Sequence, residues 1–102
     1  MKLLSLALCF GITAFAADPI RVMLLDGESG GTYHKWELTT PVLKKQLEET
    51  GLFKVDVVTF PATPEFSKYA VVVWNYDAPD ARWSAELKTS FEEYVKIGRA
   101  HV

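Results

Sequence analysis

Three apolar runs and two helical stripes, separated by polar loops, organise the chain from Ile20 to Lys96. The first run, Ile20-Arg21-Val22-Met23-Leu24-Leu25, is almost uninterrupted, the pattern of a central parallel strand covered on both faces. It ends at Asp26-Gly27-Glu28, and a glycine-containing loop leads to His34 and Trp36. Thr40 before Pro41 predicts the start of a helix: a hydroxyl cap followed by a residue whose fixed φ suits the first helical position. Leu43 and Leu47 share a face of that helix, Gly51 stands where a left-handed residue ends it, and Leu52 is placed to pack back on Leu47. In the second run Phe53, Val55 and Val57 alternate with Lys54 and Asp56, which predicts a strand nearer an edge.

The third run, Tyr69 to Trp74, is continuous and predicts a central strand. Right-handed crossovers then give the order 2-1-3, with the first strand in the middle of an α/β, three-layer, flavodoxin-like sheet. Asp77 to Arg82 reads as a loop and Ser84 as a cap. Beyond it, Trp83, Leu87, Phe91 and Val95, with Tyr94 beside them, form a stripe to lay on the sheet.

The wording of these elements is itself informative. His34-Lys35-Trp36, the run Thr39 to Lys45, the run Leu47 to Val57 and the run Phe66 to Tyr76 resemble, in order and spacing, the ThuA-like (trehalose-utilisation) domain family. The resemblance covers Ile20 to about Lys96. It implies the class I glutamine amidotransferase-like fold and a link to trehalose, related disaccharide or keto-sugar metabolism. In that fold a nucleophilic cysteine sits at an elbow after the next strand, and ThuA-like members do not generally keep it. The resemblance therefore implies a shared fold more than a shared reaction.

The two ends of the chain read differently from its middle. Lys2, the apolar stretch Leu3 to Phe15 and the Ala14-Phe15-Ala16 site make residues 1–16 a predicted signal peptide, so the expected location is periplasmic or extracellular. Cys9, the one cysteine, falls inside it, and no later run reaches the roughly 20 apolar residues of a membrane span. Residues 17–96 are expected to be the N-terminal portion of a ThuA-like domain. Residues 97–102, Ile-Gly-Arg-Ala-His-Val, match the translation of a sequencing adapter and are expected to be a non-native tail where a further strand belongs; a native frayed terminus is the alternative.

A net charge of −2 with 24% charged residues shows no basic patch, so no nucleic-acid partner is expected. Gly30-Gly31 belongs to no G-x-G-x-x-G, and one loop histidine with scattered acids lacks metal-ligand spacing, so neither cofactor nor metal is assigned. Ligands of open parallel sheets gather beyond the carboxyl ends of the strands, where the order reverses. The loops meeting there carry Asp26, Glu28, His34, Trp36, Asn75, Tyr76 and Asp77.

Two functions fit this set. In the enzyme, His34 is acid or base with Asp26 or Glu28 as its partner, and Trp36, Asn75, Tyr76 and Asp77 bind a small carbohydrate. In the alternative, a non-catalytic carbohydrate-binding or interaction module, Trp36 and Tyr76 stack on sugar and the carboxylates bond its hydroxyls. A loop histidine bonded to nearby backbone, and Asp26 capping its own turn, are the purely structural alternatives.

Overall fold

A computed structural model of the chain describes residues 18–29, 32–78, 82–98 and the backbone of 100–101, so the expected signal peptide, 1–16, lies outside the described residues. Its elements are β1 (Ile20–Asp26), α1 (Trp36–Glu49), β2 (Phe53–Thr59), a short 3-10 turn (Phe66–Lys68), β3 (Val71–Trp74), α2 (Ala85–Lys96) and β4 (Ala100–His101). All strand pairs are parallel and the order is β2-β1-β3-β4, which contains the expected 2-1-3. The crossover through α1 moves outward in one direction and that through α2 in the other, so right-handed connections place the helices on opposite faces.

Strand periodicity divides the core accordingly. Val22 and Leu24 of β1 join Val55, Val71 and Val73, and Leu43 and Leu47 of α1 cover them. Met23 and Val72 point the other way, into Phe66, Tyr69, Leu87 and Tyr94, with Trp74, Trp83 and Phe91 packed around them. Four consecutive residues of β1, Val22 to Leu25, are at most 1% exposed, which is why this strand reads as unbroken apolar sequence.

β2 lies at the edge, as its alternation predicts. The outward groups of Val55 are satisfied by α1: Lys44 Nζ donates to Val55 O at 3.1 Å, and Val55 N donates to Glu48 Oε2 at 3.3 Å. That pair of side chains, itself bridged at 3.4 Å, occupies backbone groups through which another chain would pair with the edge.

Three local expectations are corrected. Helix α1 begins at Trp36 after Lys35, not at Pro41, and Pro41 stands inside it. Thr40 caps nothing; it is buried and accepts a hydrogen bond from Asn75, so a long-range contact outweighs the local capping signal. In α2, Tyr94 is 3% exposed and Val95 37%, because residues four apart advance by about 40° per step and Val95 has turned away from the sheet. Finally, a strand follows α2 among the described residues, where Ala100 and His101 pair with Val71 and Val72 as β4.

The Ser84 and Gly51 signals hold, whereas Leu52 does not join the core beside Leu47. Ser84 Oγ accepts from Leu87 N at 3.1 Å. Gly51 has φ +76, left-handed as expected, and Gly51 N donates to Glu48 O. The Leu52 N–H does not reach a helix carbonyl directly; it donates to Thr50 Oγ1 at 3.1 Å, whose own proton goes to Leu47 O at 2.8 Å. Leu52 stays 60% exposed.

Candidate functional site

The carboxyl ends of β1 and β3 lie side by side, with Leu25 opposite Trp74, so Asp26 and Asn75 follow at adjacent positions. Both are buried, at 2% and 4% exposure. Strand alternation puts Asn75 on the α1 side and Tyr76 on the α2 side. The predicted cluster is thereby split into two groups.

On the α1 side, Asn75 Nδ2 lies 2.9 Å from Thr39 Oγ1 and 2.8 Å from Thr40 Oγ1, and Asn75 Oδ1 lies 2.8 Å from His34 Nε2. The Thr39 hydroxyl donates its single proton to Lys35 O at 3.3 Å, so toward Asn75 it accepts. Both amide protons of Asn75 are then used on the threonines, and only its oxygen faces the imidazole. It follows that His34 Nε2 carries a proton and donates it to Asn75 Oδ1. Ser29 Oγ donates to His34 O at 2.6 Å and holds the backbone of the same loop.

Sequence reasoning placed Asp26 or Glu28 against His34; the structure brings Asn75 there instead. Asp26 Oδ1 is buried with no hydrogen-bond partner among the described residues. Trp36, the first residue of α1, is half-buried and joins no aromatic pair among the described residues.

Glu28 belongs to the α2-side group. Gly27, at φ +119, turns the chain there, and a Cβ at this position would overlap the Phe60 backbone. Glu28 Oε1 then lies 3.1 Å from Arg82 Nη1, and its Oε2 accepts a long 3.5 Å contact from the Tyr76 hydroxyl. Burial pushes the Tyr76 phenol above its ordinary value, and the Glu28 charge adds to this, against a Trp83 hydrogen bond and the Arg82 charge. The Tyr76 ring packs edge-on to Phe60 at 5.4 Å and lies 6.4 Å from both Trp74 and Trp83. A cleft of about 320 Å³ opens beside it, lined by Tyr76, Asp77, Trp83, Lys88 and Glu92 among others. Asp77 N donates to Glu28 O at 2.9 Å, which ties the two strand-end loops together.

Thr39, Arg82, Lys88 and Glu92 were not singled out in the sequence, and Thr40 was read as a helix cap and not as part of the site. A signal for the threonines was present: Trp36, Thr40, Leu43 and Leu47 have helical spacing, so the stripe extends back to Trp36 once a buried hydroxyl is admitted to it.

A doubly wound α/β unit with a polar network at its switch point is thus the class of protein that fold and site define. Comparison with solved structures agrees. Over 82% of its length the chain superposes on a crystal structure, at 1.75 Å, described as that of a ThuA-like protein from Parabacteroides merdae ATCC 43184, with TM-score 0.72 and 33% sequence identity. The chain spans 31% of the length of that protein. No protein-family model and no curated protein matches the chain. The resemblance read from the sequence is therefore a similarity in both sequence and fold to a ThuA-like protein.

Proposed function

We propose that this protein is an exported ThuA-like carbohydrate-processing protein, acting on trehalose, a related disaccharide or a keto-sugar, with His34 as its acid or base. The observation that carries the reading is the hydrogen-bonded chain Thr39/Thr40–Asn75–His34, which holds the imidazole in place with Nε2 as its donor. A positioned imidazole is what proton transfer near neutral pH requires. Asp26, whose Oδ1 has no partner among the described residues, is the acceptor for a substrate hydroxyl, and Trp36 is the platform for the ring. Residues 1–16 direct export.

A second reading, a non-catalytic sugar-binding module, draws on the same bond. A carboxamide beside His34, in place of a carboxylate, adds no charge stabilisation to the protonated ring, as suits a structural histidine.

The test uses the full-length protein and a panel of disaccharides and 3-keto-disaccharides. Under the enzyme reading, His34→Gln lowers kcat by about 100-fold or more while affinity stays within a few-fold. Under the binding reading no turnover is found and Trp36→Ala weakens sugar binding by roughly 1 kcal/mol. Both fail if neither substitution alters any sugar interaction.

A further inference from the structure

The cleft on the α2 side is absorbed by neither role of His34. Its walls are Trp74 and Trp83, stacked at 5.4 Å, with Phe91 edge-on to both and Tyr76 alongside. Its mouth carries Lys88 and Glu92 from consecutive turns of α2.

Lys and Glu four residues apart on a helix are close enough to pair, and in α1 both such pairs close, Lys44–Glu48 at 3.4 Å and Lys45–Glu49 at 3.7 Å. Lys88 and Glu92 have the same order and spacing and form no ion pair among the described residues; both line the cleft instead. Aromatic walls thus stand beside an unpaired donor and an unpaired acceptor.

The combination selects a ligand class. Glu92 and Asp77 oppose an anion, Lys88 opposes a cation, and the volume, about 320 Å³, lies at the small end of the roughly 300–1,000 Å³ typical of small-molecule sites. A neutral ring with apolar faces and hydroxyls at its edge satisfies every group. We propose that this cleft is a second carbohydrate subsite, which holds a sugar ring between the aromatic wall and the Lys88/Glu92 mouth while a linked ring lies toward His34. Asn75 and Tyr76, consecutive in sequence and facing opposite sides, separate the two positions. This inference rests on the carbohydrate reading above.

The experiment titrates the full-length protein with glucose and with trehalose and follows the indole N–H signals by NMR. The signals of Trp74 and Trp83 shift on addition of sugar. The double variant Lys88→Met, Glu92→Gln, which alters two exposed side chains, weakens the affinity about tenfold, the worth of a hydrogen bond to a charged group. His34→Gln leaves that affinity within a few-fold. Sugar binding that leaves both indole signals in place, or an unchanged affinity in the double variant, overturns the subsite, and a loss of turnover in His34→Gln would then still uphold the role of His34. Absence of binding by any sugar overturns the subsite and the carbohydrate reading together.

Discussion

The two faces of the sheet are built from alternate residues of the same strands, yet they differ in kind. Toward α1 the core is aliphatic, from Val22, Leu24, Val55, Leu43 and Leu47, and it is crowned by a polar network of Thr39, Thr40, Asn75 and His34. Toward α2 it is aromatic, with Phe66 contacting the rings of Trp83, Phe91 and Tyr94, and it is crowned by a cleft. Branched aliphatic side chains fill the space under a helix closely. Large flat rings meet at angles and leave a cleft at their margin. One face fixes the geometry of a single imidazole, and the other leaves an open cleft walled by aromatic rings.

The largest effect is expected from removing the aromatic keystone. Phe66 is 1% exposed, and Phe66→Ala should cost about 3–5 kcal/mol in denaturant titrations while loosening the Trp83 and Phe91 walls of the cleft. The His34–Asn75 bond on the opposite face should survive in whatever remains folded. Joint loss of both sites under conditions where the variant is folded would show that the faces are not separable.

Next is Asn75→Ala. It leaves the hydroxyl of buried Thr40 without the Asn75 bond and releases His34, for an expected cost of about 1–3 kcal/mol. The fluorescence of the Trp74–Trp83 pair should be unchanged, since that stack lies on the other side of β3. A cost below about 0.5 kcal/mol would mean that the network is ornamental.

The smallest effect concerns the edge of the aromatic side. Asp56 accepts from the Tyr69 hydroxyl at 3.0 Å and pairs with Arg21 at 3.3 Å, the guanidinium of which sits 5.1 Å from the Tyr69 ring centre. The Tyr69 hydrogen bond first, then Arg21, holds the Asp56 carboxyl below its ordinary value, against some desolvation. A depressed folded value contributes stability that is present above the unfolded value, near 3.8, and is lost as pH falls through the folded one. Because both side chains are more than a third exposed, solvent screening reduces this to a few tenths of a kcal/mol. Asp56→Asn should therefore lower stability at pH 7 by those few tenths of a kcal/mol, a difference that vanishes in acid, so that the acid limb of stability is slightly flatter.

How much of this was legible in the sequence follows the range of the interactions involved. β1, the edge character of β2, the order 2-1-3, the Ser84 cap and the left-handed Gly51 were readable because each is set by periodicity or by a contact within a few residues. The start of α1 was not, since Thr40 before Pro41 is a sound local capping signal that yields to an acceptor 35 residues away, Asn75. The site followed the same rule. The strand-end rule gathered Asp26, Glu28, His34, Asn75, Tyr76 and Asp77 correctly as a neighbourhood. Its division came from the alternation of Asn75 and Tyr76 at the end of β3, and Glu28 went to Arg82 because Gly27 turns the chain that way. Lys88 and Glu92 resembled any solvated helical pair until the closed pairs of α1 gave a contrast.

The role proposed for His34 rests on the proton at its Nε2. Long-range nitrogen–proton NMR of the imidazole ring reports which nitrogen carries it and whether that proton is protected from exchange. The prediction is a proton on Nε2 that is protected from exchange, and loss of that protection in Asn75→Ala. A ring with no proton on Nε2, or an Nε2 proton that exchanges equally fast with and without Asn75, would contradict it.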